Sequence, residues 1–205
     1  MKEEIIYTCE YDGKTPIRIT SAGISWCDGS YYIARRGTSQ MVLECVTGGR
    51  GILVIDGERY YPEAGDVYIV PPNSSHYYAS DREEPWRKLW FNVDGTLLPD
   101  LLAAYGLTDS VLLKGCPFEE RFDAGLRELR MAAAGDPDEL SARIVVPLFA
   151  ALGRFVRESR AAASPAAEVR RYLAALPPGE GLEPKKLLWK SGRSVSQTIR
   201  VFKKE

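Results

Sequence analysis

The chain has 205 residues, of which 45% are hydrophobic and 27% charged, a balance typical of a globular domain with room for an appendage. No apolar run approaches the roughly 20 residues that a membrane-spanning helix needs, and the N-terminus lacks the apolar core of a signal peptide. The four cysteines are widely scattered and form no CxxC pair, which argues against a disulfide framework. We therefore expect a cytoplasmic protein with reduced thiols and no membrane contact.

The charges are unevenly distributed along the chain. Residues 168–205 hold nine Lys and Arg against four Asp and Glu, whereas the first 167 residues hold 18 against 24. A basic tail on an acidic body is a modest indication that the C-terminal end contacts nucleic acid. A solvated helical face explains the same charges, and on charge alone it is the stronger interpretation.

Residues 1 to about 95 carry the pattern of antiparallel β structure, with short runs rich in Val, Ile and Tyr between turn residues. The clearest pair of runs, 51–55 and 58–61, flanks the dipeptide Asp56-Gly57. Type I′ hairpin turns favour Asp-Gly because both central residues need a positive φ. Further strands are predicted at 67–70 and from His76 onwards. Many short strands at spacings near ten residues predict a sandwich or barrel.

After Gly95 the periodicity becomes helical. Phe118, Phe122, Leu126 and Leu129 recur at spacings of four, four and three, which places them on one helical face. A second helix is predicted to begin at Asp136-Pro137 and to run to about Ala162, with Pro147 inside it. Its apolar face is Leu140, Ile144, Leu148, Leu152 and Phe155. That face has two interpretations, packing against the outside of the barrel and pairing two protomers.

Residues 65–76 resemble the second cupin motif, which has Gly, five residues, Pro, one residue, Gly, two residues and His. Asn73 replaces the second glycine, a mild change because asparagine tolerates the left-handed conformation. The matching first motif, residues 35–48, contains no histidine, and His76 is the only histidine in the chain. Since a catalytic zinc or iron site generally needs about three protein ligands, we expect neither a metal nor another cofactor.

Several matched motifs between residues 20 and 95 resemble the N-terminal sensor domain of AraC-type transcriptional regulators. They are Gly48-Gly-Arg-Gly51, Ile55-Asp-Gly57, Gly65-Asp66, Val70-Pro-Pro, His76-Tyr-Tyr and Trp90-Phe-Asn-Val-Asp-Gly95. Residues 194–205 are similar to the recognition helix of that family's first helix-turn-helix. The resemblance implies a mainly β plus α fold: a cupin-type (jelly-roll) barrel at 1–96, a helical dimerisation region at 97–163 and a short, truncated helix-turn-helix at 164–205. It also implies that the protein is a homodimer.

The resemblance also implies a set of DNA contacts on the C-terminal segment, because the second helix of a helix-turn-helix lies in the major groove. The candidates are Ser194, Ser196, Gln197, Arg200, Lys203 and Lys204. The sequence departs from the family pattern at Pro184, Leu188, Arg193 and Thr198. The family pattern continues past the position of Glu205 into a second helix-turn-helix, which these 205 residues do not include, so we expect DNA binding by this chain to be weak.

A sugar-like effector needs an aromatic platform for its apolar ring face and polar groups for its hydroxyls. The resemblance suggests candidates, carried over one by one. They are Ser25 or its neighbour Trp26, and Arg35, His76, Tyr78 and Trp90. Each has a purely structural alternative: core packing for Trp90, a hydrogen-bonded core position for His76 and the surface for Arg35. Tyr31, Tyr32, Tyr60 and Tyr61 are expected at the rim or in the core.

Two other functions stay open beside an effector-sensing regulator. One is a metal-free cupin enzyme, such as an isomerase or epimerase with His76 as general acid or base. The other is a stand-alone carbohydrate-binding module. Against the enzyme, no carboxylate or lysine lies at a convincing spacing from His76. We therefore expect a protein that is not an enzyme and has no catalytic residues.

Overall fold

The computed structural model describes residues 2–131 and 136–164, and beyond these Ala167, Arg170, Arg171, Ala174, Ser194, Ser196 and Arg200. The chain divides into two compact units, residues 1–154 and residues 155–205. The predicted boundaries at 96 and 163 stay predictions. No helix among the described residues combines the length and the apolar character that a bilayer crossing requires.

Residues 2–131 and 136–164 form ten strands and three helices. The strands are β1 Lys2–Thr8, β2 Arg18–Trp26, β3 Tyr32–Arg36, β4 Met41–Gly48, β5 Gly51–Ile55, β6 Glu58–Tyr60, β7 Val67–Val70, β8 Ser75–Ser80, β9 Arg87–Asp94 and β10 Leu112–Leu113. The helices are α1 Leu98–Ala104, α2 Glu119–Met131 and α3 Pro137–Ala162. The predicted helices over residues 118–129 and 137–162 are confirmed, and the short elements α1 and β10 were not predicted.

The strands form two antiparallel sheets that enclose a common interior. The larger sheet has the order β1-β2-β9-β4-β7-β10, and the smaller has the order β3-β8-β5-β6. One apolar cluster joins their inner faces, with Val42, Val46 and Tyr68 from the larger sheet and Leu53 and Tyr78 from the smaller. The architecture is the predicted cupin-type barrel with appended helices.

Two turns have the backbone geometry that the sequence predicts. Asp56 and Gly57 have φ of 49° and 91°, so both central residues of the β5–β6 hairpin lie at positive φ, as a type I′ turn requires. Asn73 has φ of 62° in the turn before β8. Asparagine there holds the left-handed conformation that the cupin motif reserves for glycine.

The outer face of the larger sheet packs against α2 and α3. The rings of Phe91 on β9 and Phe122 on α2 have centroids 5.3 Å apart. A Cβ added at Gly125 would lie 2.9 Å from Ile144 Cγ2 and 3.0 Å from Phe91, so the missing side chain lets strand and helices approach. The apolar residues of α3 that belong to the first unit, including Leu148, are buried within a single chain. Pairing of protomers through α3 stays a prediction.

Polar contacts fix the start of α3 to the start of β2. The Ile19 N–H donates to Ser141 Oγ at 2.9 Å, and Arg18 Nε donates to Asp138 Oδ1 at 2.7 Å. The Asp138 N–H in turn donates to Asp136 Oδ1 at 2.9 Å, the N-terminal cap expected from Asp136-Pro137. The start of β2 and the first turn of α3 are thus joined by hydrogen bonds.

Candidate functional site

A cavity of about 250 Å³ lies inside the barrel. Side chains from β1, β2, β3, β4, β8 and β9 surround it, together with one tyrosine that precedes β3. The lining residues are Glu3, Ile5, Ser21, Ser25, Tyr31, Ile33, Arg35, Glu44, Tyr78, Trp90 and Asn92. Aromatic walls with a few polar groups are the composition of a small-molecule site, and the volume suits a ligand of about monosaccharide size.

Trp90 is held in this cavity from two sides. Its indole Nε1 donates to Ser25 Oγ at 2.9 Å, and Ser25 Oγ donates to Glu3 Oε1 at 2.8 Å. Gly23 lies opposite Trp90 in the β2–β9 ladder, and a Cβ there would come within 2.7 Å of Trp90 Cζ2. Glycine at position 23 therefore lets the indole lie close to the β2 backbone, and the relay from Glu3 through Ser25 fixes its orientation.

A buried ion pair lies beneath the cavity. Lys88 Nζ on β9 is 2.5 Å from Glu44 Oε2 on the neighbouring strand β4. The two residues are only 1% and 3% exposed. The Tyr68 hydroxyl donates a short hydrogen bond to the same Glu44 oxygen. Buried charges persist when they are paired and hydrogen-bonded, and this carboxylate has both kinds of partner.

Aromatic rings surround the Lys88 ammonium group. Nζ lies 4.6 Å from the centroid of Tyr78, 4.8 Å from Tyr31, 5.0 Å from Trp86 and 5.9 Å from Tyr68. It also donates to the hydroxyls of Tyr68 at 3.2 Å and Tyr31 at 3.4 Å. Cation–π attraction strengthens when the cation is desolvated. Burial and the Glu44 carboxylate raise the pKa values of Tyr31, Tyr68 and Tyr78 above the ordinary 10, so all three hydroxyls keep their protons.

His76 stacks on Tyr78, two residues further along β8, with ring centroids 5.9 Å apart and planes 11° from parallel. Neither ring nitrogen makes a hydrogen bond of ordinary geometry to any residue that the structure describes, although a backbone group of Ser74 lies near enough to favour the charged ring. Burial and the positive charge of Arg35 outweigh that effect and lower the pKa of His76 below 6.5. The imidazole is therefore neutral at physiological pH.

The structure brings four of the six predicted ligand contacts together. Ser25, Arg35, Tyr78 and Trp90 line the cavity, and Arg35 is exposed where it does so. His76 is outside the lining and reaches the site through its stacking on Tyr78.

Trp26 is the other predicted contact that the cavity lining leaves out. It follows Ser25 in β2, and successive residues of a strand face opposite sides. Its ring instead lies under Lys2 Nζ, 4.9 Å from the ring centroid. Of the two alternatives that the sequence left open, only Ser25 lines the cavity.

Sequence reasoning missed the residues at the base of the cavity, and above all Glu44 and Lys88. Neither was among the predicted site residues, yet the two form an ion pair inside the barrel. One signal was available: Lys88 precedes Trp90 by two residues, so both face the same side of β9. Tyr31, expected at the rim or in the core, also lines the cavity.

The predicted DNA contacts are only partly described. Ser196 and Arg200 are helical and exposed, and Ser194 is exposed. Gln197, Lys203 and Lys204 lie outside the described residues. DNA contact through this segment stays a prediction.

No metal-binding cluster accompanies the cavity in the described part of the chain, because no three His, Cys, Asp or Glu residues there converge. All four cysteines are free thiols. The Cys27 thiol feels the charges of Lys88 and Glu44, and burial raises its pKa to about 11 despite the opposing effect of Lys88. This thiol is therefore protonated and unreactive at neutral pH.

Comparison with known proteins gives one family match. The AraC-like ligand binding domain model matches residues 18–150, which is more than half of the chain. The Msm operon regulatory protein of Streptococcus mutans is 26% identical over 80 residues, and the lactose operon transcription activator of Staphylococcus xylosus is 28% identical over 74 residues. The matched segments cover 39% and 36% of this chain but only 29% and 26% of those proteins.

Solved structures of cupin proteins also resemble the chain. A cupin protein from Bacteroides fragilis superposes with a TM-score of 0.36 at 16% identity, over 48% of this chain and 90% of that one. The cupin domain of Cnp3 from Schizosaccharomyces pombe gives a TM-score of 0.37 at 12% identity, over 53% of this chain and 72% of that one.

Proposed function

This chain belongs to the AraC-like ligand-binding domain family, and from that premise we propose that it is the effector-sensing part of a transcriptional regulator and binds a small sugar-like molecule in the barrel cavity. The regulator acts in the cytoplasm, as a homodimer, and contacts DNA weakly through its C-terminal segment. The relatives support the regulatory role, because both matched proteins are operon regulators by name. One of them is named for a lactose operon, which favours a saccharide.

One observation carries the proposal of a sugar-like ligand. Trp90 lines a cavity of about 250 Å³ together with hydrogen-bonding side chains such as Ser21, Asn92 and Arg35. An indole face packs against the C–H side of a sugar ring, while the polar groups pair with hydroxyls. The hydrogen bond from Trp90 to Ser25 holds the ring in place before the ligand binds. Binding therefore loses less side-chain conformational entropy than it would at a mobile tryptophan.

The experiment is a thermal-shift screen of monosaccharides, disaccharides and aromatic acids, followed by calorimetry on each hit. A ligand at 100 times its Kd adds about 2.7 kcal/mol of stability, so a true effector gives a clear shift. Trp90→Ala removes the stacking platform, and we expect the Kd of a hit to rise about tenfold or more.

Trp26→Ala is the matched control, because Trp26 lies on the neighbouring position of β2 to Ser25 but outside the cavity lining. We expect it to leave the Kd unchanged. Equal losses of affinity in the two variants, or none in Trp90→Ala, would show that the ligand binds elsewhere.

The DNA and dimer parts of the proposal have separate tests. Light scattering on purified protein reports the mass of a homodimer or a monomer. Titration of a fluorescent DNA duplex at 50 and 200 mM salt reports the number of phosphate contacts, because affinity falls steeply with salt when Lys and Arg displace counterions. Arg200→Ala should weaken the salt dependence, since Arg200 is exposed on a helical segment.

The metal-free enzyme stays a second candidate, because Glu44 supplies a carboxylate beside the cavity. Catalysis would appear as conversion of a bound sugar to its epimer or isomer. Proton NMR of each thermal-shift hit, incubated overnight with the protein in heavy water, detects such turnover or its absence.

A further inference from the structure

At the base of the cavity, the carboxylate of Glu44 receives its two strong contacts on the same oxygen. Both strong contacts of Glu44, from Lys88 Nζ and from the Tyr68 hydroxyl, fall on Oε2. Glu44 also belongs to the lining of the cavity. The second oxygen, Oε1, takes part in neither contact. A carboxylate can accept about four hydrogen bonds, so this group keeps acceptor capacity on the side of the cavity.

Lys88 fixes the orientation of that carboxylate and does not itself reach the ligand. It is absent from the cavity lining, is 1% exposed, and is enclosed by the rings of Tyr31, Tyr78 and Trp86. Because the ammonium group is bound to Oε2, the carboxylate cannot rotate without breaking the pair. Lys88 is therefore a positioning residue for Glu44.

The remaining charges decide which ligand groups can approach. The lining contains two carboxylates, Glu3 and Glu44, and one cation, Arg35. Glu3 already accepts a hydrogen bond from Ser25. An anionic group placed beside Glu44 Oε1 would meet a carboxylate oxygen directly, whereas the compensating ammonium group of Lys88 contacts Oε2 and is absent from the cavity lining. A hydroxyl group there donates a hydrogen bond to a charged acceptor, which is among the stronger hydrogen bonds in proteins.

We infer that Glu44, held by Lys88, is the specificity-determining acceptor of the cavity and selects an uncharged polyhydroxylated ligand, one hydroxyl of which donates to Glu44 Oε1. The inference rests on the proposed effector site and adds its ligand class: neutral sugars are accepted, whereas sugar acids and sugar phosphates are rejected.

The first measurement is calorimetry on the full chain with glucose, galactose and mannose, each paired with its uronate and its 6-phosphate. We expect at least one neutral hexose to bind about tenfold or more tightly than both of its anionic partners. Tighter binding of a uronate or phosphate overturns the inference but leaves the effector site intact. Absence of binding by all nine probes overturns the inference and the saccharide part of the proposed function together.

The second measurement locates the hydroxyl. Monodeoxy analogues of the best hexose are titrated against the wild type and against a double variant, Glu44→Leu with Lys88→Met. The double variant removes both charges together and so leaves no buried charge without a partner. We expect one deoxy position to cost the wild type about tenfold in Kd and to cost the double variant nothing, because its acceptor is already gone.

The control is the exposed pair of Glu128 on α2 and Arg143 on α3, removed by the same substitutions, Glu128→Leu with Arg143→Met. It should bind the hexose and all deoxy analogues as the wild type does. A double variant at 44 and 88 that folds and keeps the wild-type deoxy profile overturns the inference. Should that variant fail to fold, a wild-type profile without any costly deoxy position overturns the inference, and a preference for the neutral hexose over both anionic partners in the first measurement supports it.

Discussion

The two faces of the six-stranded sheet are buried to a similar degree but differ in chemistry. On β9, the inward residues Lys88, Trp90 and Asn92 carry polar atoms, whereas the outward residues Leu89 and Phe91 are apolar. The outward face meets α2 and α3 without a gap, as the packing of Gly125 shows. The inward face leaves a cavity, and polar atoms there require partners. Burial alone therefore does not distinguish the structural core from the site; a cavity lined by buried polar groups does.

The difference also assigns separate roles to the two faces. Substitutions on the outward face remove packing and should lower stability without touching affinity. Substitutions on the inward face should lower affinity, and they lower stability only where they leave a charge or a donor without its partner. Four experiments test this division of roles.

The largest effect is expected on the outward face, at Phe122. This side chain is fully buried and packs on Phe91. Phe122→Ala should reduce the free energy of unfolding by about 4 kcal/mol, because truncation of a core phenylalanine costs 3–5 kcal/mol. Urea denaturation measures the loss. Met131→Ala, at a position 83% exposed, is the control and should change stability by less than about 0.5 kcal/mol. A changed ligand Kd in the folded Phe122→Ala protein would contradict the division of roles.

The next effect is expected on the inward face, at Lys88. Lys88→Met leaves the buried Glu44 carboxylate without its counter-ion, and we expect a loss of about 3 kcal/mol. The double variant with Glu44→Leu removes both charges, and its stability should return to within about 1 kcal/mol of the wild type. Chemical denaturation of the three proteins at pH 7 makes the comparison. A double variant as unstable as the single one would show that packing of the lysine stem, and not its charge, supports the barrel.

A smaller effect is expected where α3 is bonded to β2. Ser141→Ala leaves the buried Ile19 N–H without its acceptor, which should cost about 1–2 kcal/mol. Hydrogen exchange at the Ile19 amide provides a local measurement, and exchange should become faster in the variant. An unchanged exchange rate would mean that the backbone finds another acceptor. The ligand Kd should stay the same, since Ser141 packs on the outward face.

The smallest effect concerns His76 and pH. Its folded pKa lies below the ordinary value of 6.5, so the unfolded state binds more protons in the window just below that value. The neutral imidazole thus contributes its full stability above about pH 6.5, and this contribution declines as the pH falls towards the folded pKa. We expect the Tm of the wild type to fall more between pH 7.5 and 5.5 than that of His76→Gln. Parallel Tm profiles would show that the ring is solvated when it is charged.

Most of the fold could be predicted from the sequence because the signals for turns, strands and helices are local. Asp56-Gly57, Asn73 and Asp136-Pro137 each determine the conformation of their own neighbours, and all three have the predicted geometry. The helical faces followed from spacing. The two-residue strand β10 was missed because two residues show no periodicity, and it exists only through its pairing with β7.

The site was harder to predict because it depends on register between distant strands. Glu44 and Lys88 are 44 positions apart and meet because β4 and β9 are neighbours in the sheet. The same register decides that Ser25, and not Trp26, lines the cavity. Family resemblance supplied Trp90 and Tyr78, but it could not supply a charged pair that depends on the residues of this chain. The one clue in the sequence was the spacing of Lys88 and Trp90, because residues two positions apart in a strand face the same side.

The ion pair of Glu44 and Lys88 also limits how this barrel can change over generations. A single substitution at either position leaves the other charge buried and without a partner. The free energy of unfolding of such an intermediate is lower by several kcal/mol, whereas the whole free energy of unfolding of a protein is only about 5–15 kcal/mol. Replacement of the pair therefore requires two nearly simultaneous changes or a stabilising change beforehand. Exposed cavity residues such as Arg35 have no such restriction. We expect descendants of this sequence to vary first at Arg35 and last at the Glu44–Lys88 pair, so that new ligand preferences arise at the rim of the cavity before its base.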